Sequence, residues 1–129
     1  MEFRDENEKT LYNYIMNQVE SVVGKDHKGI VIWMISFGNK STMLEVHVKK
    51  KPRTWVNLFK WKDNKNKNKI NKAISEINEE LIKDRDKNNW KSAVFCLYED
   101  KEECIQYFPD GDTNDLNKLS DTFKKRYFR

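Results

Sequence analysis

The fold turns on Ile30-Val31-Ile32-Trp33-Met34-Ile35-Ser36-Phe37, followed by Gly38-Asn39-Lys40-Ser41 and then Met43-Leu44-Glu45-Val46-His47-Val48. The first run is almost wholly apolar and rich in β-branched and aromatic residues. Such a run predicts a central strand buried on both faces. The Gly-Asn-Lys-Ser step is a turn signal. The second run alternates, with Leu44, Val46 and Val48 on one side and Glu45 and His47 on the other. It predicts a half-buried strand folding back as a hairpin, with His47 on the exposed face.

Working outward, Leu11, Ile15, Val19 and Val22 recur at helical spacing and predict a helix from about Glu6 to Val23, stopped at Gly24 and covering one face of a sheet. Thr54 to Trp61 reads as a third strand, kept to an edge by Pro52. Lys62 to Lys69 is a polar loop. Ile70, Ile74, Ile77 and Leu81 mark a second helix that ends near Lys87. Trp90 to Tyr98 and Glu103 to Phe108 form a second hairpin turning at Glu99 to Glu102, and Pro109-Asp110-Gly111-Asp112 breaks it. Leu116, Leu119, Phe123 and Tyr127 close the chain with a helix. The order α-β-β-β-α-β-β-α predicts a single α+β domain, an antiparallel sheet of four to five strands with helices packed on it.

Composition agrees. In 129 residues, four Trp, five Tyr and seven Phe supply enough aromatic volume for one core, which argues against disorder despite 36% charged residues. No apolar run reaches the ~18 residues of a membrane span. The Met1-Glu2-Phe3-Arg4-Asp5-Glu6 start lacks the apolar stretch of a secretory signal, so a soluble, cytoplasmic protein is expected. Cys96 and Cys104 could face each other across the second hairpin and are expected as free thiols in a reducing compartment. His27 and His47 form no ligand-spaced motif with them, so neither metal nor cofactor is expected. There is no phosphate-binding glycine loop or nucleophile elbow, and no carboxylate stands in an apolar context; catalysis is not expected.

Charge is unevenly distributed. Lys49 to Lys72 carries a net +9, whereas Tyr98 to Asp115 carries −6, in a chain of net +4. Opposed fields of this kind orient a charged partner and speed encounter. Within the basic stretch, Trp55, Phe59 and Trp61 interleave with cations, the pairing of rings and charge that single-stranded nucleic acid recognises. Lys51, Arg53, Trp55, Lys60, Trp61 and Lys62 would carry that reading. A solvated Lys/Asn loop beside an edge strand accounts for the same residues. In the acidic stretch, Asp110, Asp112, Asn114 and Asp121 have the oxygen spacing of a calcium loop, but Asp115 stands where its glycine belongs. A turn capping the last helix through Thr113 or Asn114 accounts for them better.

Trp90-Lys91-Ser92-Ala93-Val94-Phe95, a short charged turn and Ile105-Gln106-Tyr107-Phe108 resemble the YezG-like family of bacterial immunity proteins. The layout of helix, hairpin, long helix, Trp-x-Ser-x-x-Phe strand, last strand and C-terminal helix follows the same order. The basic middle segment and Pro109 to Asp112 set this chain apart, and leave room for an immunity lineage such as those guarding against contact-dependent inhibition toxins. The resemblance implies a non-enzymatic protein that binds and neutralises a cognate toxin, such as a nuclease domain. The expected docking region is Glu99, Asp100, Glu102, Glu103, Asp110 and Asp112, with Tyr98 and Tyr107 as exposed aromatic anchors.

Overall fold

The computed structural model describes residues 2–37, 41–61, 67–108 and 116–129. Its elements are α1 (Glu6–Val23), β1 (Gly29–Phe37), β2 (Ser41–Lys51), β3 (Thr54–Asn57), α2 (Lys67–Asn88), β4 (Ser92–Tyr98), β5 (Glu103–Phe108) and α3 (Leu116–Tyr127). The strands form one antiparallel sheet in the order β3-β2-β1-β4-β5. The α+β architecture and element order therefore match the reading of the sequence.

The apolar run of β1 explains the layering. Ile30, Ile32 and Met34 point to one face, where they pack with Tyr12, Ile15 and Val19 of α1 and Ile70, Ile77 and Leu81 of α2. Val31, Trp33 and Ile35 point to the other face and meet Phe123 and Tyr127 of α3. Alternation along a strand thus sends one continuous apolar sequence into two cores. β1 is also the middle strand, paired with β2 on one side and β4 on the other.

Local chemistry sets the helix ends. Asp5 caps α1 by accepting from the Glu8 backbone N–H at 2.8 Å, and Glu8 in turn accepts from the Arg4 backbone N–H at 2.6 Å. Gly24 ends α1 with φ 82, donating its N–H to Glu20 O. Asn89, also at a positive φ of 55, follows α2 and donates its N–H to Arg85 O. Among the described residues, no helix is long and apolar enough to cross a membrane.

Several boundaries differ from expectation, among them the start of β4, which opens at Ser92 and not at Trp90. β2 is longer than Met43 to Val48, and Ser41 belongs to it; Gly38, Asn39 and Lys40 lie outside the described residues. The third strand does not reach Trp61. It stops at Asn57, whose side chain accepts from the Phe59 N–H at 3.0 Å, and Leu58–Lys60 form a 3-10 turn that drops Leu58 into the α1/α2 core. α2 begins at Lys67, inside the stretch read as loop.

Candidate binding surface

Gly29, the first residue of β1, pairs with Lys49 of β2 and with Tyr98 of β4. The β2–β3 and β4–β5 turns therefore leave the same end of the sheet, on either side of β1. In the first turn Pro52 precedes Arg53, whose φ is 63. That is the pattern of a type II turn, with arginine where glycine is usual. In the second, Lys101 N–H donates to Tyr98 O at 2.9 Å, Tyr98 N–H donates to Glu102 O at 3.0 Å, and Lys101 has φ 67. Here a lysine occupies the left-handed position of a three-residue hairpin loop. Asp100 Oδ1 stiffens the tip by accepting from Glu102 N–H at 3.0 Å.

The last residues of the chain tie the two tips together. Phe128 stacks on Trp55 of β3 with centroids 4.7 Å apart and planes 9° off parallel, and Trp55 Nε1 donates to Arg129 O at 3.2 Å. The Arg129 guanidinium forks onto both oxygens of Glu102 and lies 4.1 Å from the centre of the Tyr98 ring. Gly29 makes room for this packing, because a Cβ there would stand 3.1 Å from Trp55 Cη2 and 3.2 Å from Leu97 O. Lys28 Nζ meets Glu99 Oε1 at 3.0 Å. Two shallow hollows of about 390 Å³ each adjoin at Arg129. One is lined by Arg53, Trp55, Phe128 and Arg129; the other adds Lys28, Lys49, Tyr98, Glu99 and Asp100.

The start of the basic segment and the acidic turn are thus neighbours at one end of the sheet. Glu99 and Glu102 are already paired there, and Arg129 holds the Glu102 carboxyl below its ordinary value. Asp100 is exposed on the tip, and Glu103 is half-buried at the start of β5. Asp110 and Asp112 lie outside the described residues.

The two tyrosines are not exposed anchors, contrary to expectation. Tyr98 is 7% exposed, packs on the α3 side and donates its hydroxyl to Tyr127 O at 2.7 Å. Tyr107 is half-buried on the opposite face, where its hydroxyl donates to Glu8 Oε2 at 2.7 Å. Burial pushes both hydroxyls above their ordinary values. The basic segment is likewise divided. Trp55 faces α3, whereas Trp61 packs on the α1/α2 core beneath Lys50, so the two rings do not line one groove. Lys51, Arg53 and Lys60 are exposed, Phe59 is 59% exposed, and Lys62 lies outside the described residues.

A polar cluster sits beneath α3, and it overturns the expected exposure of His47. His47 is 6% exposed, stacked on Trp33 at 4.6 Å and edged by Phe128 at 5.0 Å. Glu45 accepts from Ser120 Oγ at 3.0 Å and stands 3.8 Å from His47 Nε2. His47, against the opposing pull of burial and with help from Ser120, holds the Glu45 carboxyl below its ordinary value. The carboxylate lies between the serine and the imidazole. That order ties α3 to β2. Glu8, 4% exposed, is a buried carboxylate that accepts from the Arg4 backbone N–H and the Tyr107 hydroxyl. Among the described residues, no group of three or more His, Cys, Asp or Glu is placed to hold a metal ion.

Lys28, Phe128 and Arg129 were not singled out by the sequence. Their contacts join positions up to 74 residues apart, and no local spacing announces them. No protein-family model matches the chain, and no curated protein matches its sequence.

Proposed function

We propose that this protein is a binding domain that neutralises a toxin domain by covering it, docking through the sheet end formed by the two hairpin tips. The observation that carries this reading is the two-signed platform in which Glu99, Asp100 and Glu102 stand among Lys28, Arg53 and Arg129. A surface whose charged groups are already oriented loses little freedom on binding. Charges of both signs at fixed positions select a complementary protein surface and repel mismatched ones. They serve a polyanion poorly, because carboxylates beside the cations oppose phosphate. The choice of a toxin as partner rests on the resemblance of Trp90–Phe95 and Ile105–Phe108 to immunity proteins.

The test is co-expression with the product of the adjacent gene. Wild-type protein restores growth and forms a stoichiometric complex. Glu99→Lys with Asp100→Lys leaves cooperative unfolding in place and slows association at low salt by roughly tenfold or more. An unchanged on-rate rejects this docking surface. Failure of the wild-type protein to relieve toxicity rejects that toxin as the partner.

A second reading is favoured by one observation. Residues 49–61 contain five cations and no carboxylate, and Phe59 stands exposed beside Lys60. There, charge and one free ring could engage single-stranded RNA or DNA. Tight binding whose log K falls steeply with log salt supports this reading and sinks the first.

A further inference from the structure

Cys96 and Cys104 are opposite one another in the β4–β5 pair. Directly opposed residues of antiparallel strands point to the same face and have Cα atoms about 4.5–5.5 Å apart. That spacing lies inside the range a disulfide spans, about 4.4–6.8 Å. Both are free thiols with unlike surroundings: Cys96 is fully buried, whereas Cys104 is half-buried on the outer strand. Both lie in the α3-side core with Phe123 and Tyr127.

We propose that Cys104 is a peroxide-reactive thiol and that Cys96 resolves its sulfenic acid as a disulfide joining β4 to β5. Reactive thiols sit in partly exposed, electropositive places, and redox-sensing ones have a second cysteine within reach. Cys104 has both features. Cys96 stands directly across from it in the strand pair and lowers its thiol, and Arg129 and Arg126 add positive potential against burial and Glu102. Together these bring the Cys104 thiol down to about 6, so that thiolate predominates at neutral pH. The neighbouring Cys104 and burial push the Cys96 thiol up, so it keeps its proton.

The chemistry balances with hydrogen peroxide as oxidant. The Cys104 thiolate attacks one peroxide oxygen; an S–O bond forms, the O–O bond breaks, and the hydroxide that leaves is protonated to water. The Cys96 sulfur then attacks the sulfenic sulfur. An S–S bond forms, the S–O bond breaks, and the Cys96 proton leaves with the hydroxyl group as a second water. Two thiols lose two electrons and one peroxide is reduced to two waters.

The experiment treats the folded protein with one equivalent of hydrogen peroxide at neutral pH, followed by thiol counting, intact mass and tryptic mapping. Wild-type monomer loses both thiols and two hydrogens. Trypsin cleaves at Lys101, between the cysteines, so the two peptides stay joined only through the disulfide. Cys96→Ser stops at the Cys104 sulfenic acid, trapped as a dimedone adduct, and Cys104→Ser keeps its remaining thiol. In untreated wild type, iodoacetamide at slightly acidic pH labels Cys104 roughly tenfold or more faster than Cys96. The proposal is overturned if wild type keeps both thiols under conditions that oxidise glutathione. Cross-linking only between molecules, or Cys104→Ser oxidising as fast as wild type, overturns it as well.

Discussion

Arg53 and Lys101 each hold a positive φ at a hairpin tip, 63 and 67 respectively. A side chain with a Cβ pays about 1–2 kcal/mol for that conformation, and glycine gives back about 0.5–1 through unfolded-state freedom. Arg53→Gly should therefore raise the unfolding free energy by about 0.5–1 kcal/mol in urea titration. A loss of stability would show that the arginine side chain holds the fold. Glu45 supplies a pH-dependent term. Its folded carboxyl lies below the ordinary value of 4.5, so its contribution is complete above that pH and drains away as pH falls through the lower folded value. Glu45→Gln should flatten that part of the acid unfolding profile, and an unchanged acid limb would place the stabilisation elsewhere. At this scale the sequence misled in one instructive way. The alternation of β2 assigns His47 to the polar side correctly, but α3 and Phe128 roof that side, and period two cannot report a second layer.

At the scale of elements, long periodic segments were legible. α1 and β5 fall where their spacing places them, since a helix stripe or a strand is written in neighbouring residues. Short elements were not. Trp55, Val56, Leu58 and Phe59 all favour strand, yet Asn57 caps a turn and burial of Leu58 outweighs that preference. The attachment of α3 rests on few residues. Phe123, 2% exposed, packs on Trp33 at 5.7 Å and on Phe108 at 5.5 Å. Phe123→Ala should cost about 3–5 kcal/mol and raise the exposure of Trp33, read by unfolding and by quenching of tryptophan fluorescence. A loss below 1 kcal/mol would mean that α3 is not a structural lid.

For the whole molecule, the start of the basic stretch and the acidic turn are far apart in sequence but neighbours in space. The hairpins bring Lys49–Arg53 and Glu99–Glu102 to one end, where Lys28 and Arg129 bridge them. No sequence pattern could show this, because it depends on β4 choosing the free side of β1. Exposed pairs of this kind add little stability, so added salt should leave the unfolding free energy nearly unchanged. The position of β1 has a kinetic corollary. Its amides are shut in by a strand on each flank and a helical layer on each face. In heavy water, the backbone deuterons should enter Ile32, Trp33 and Met34 last, at the rate of global opening, while the tip around Lys101 fills at once.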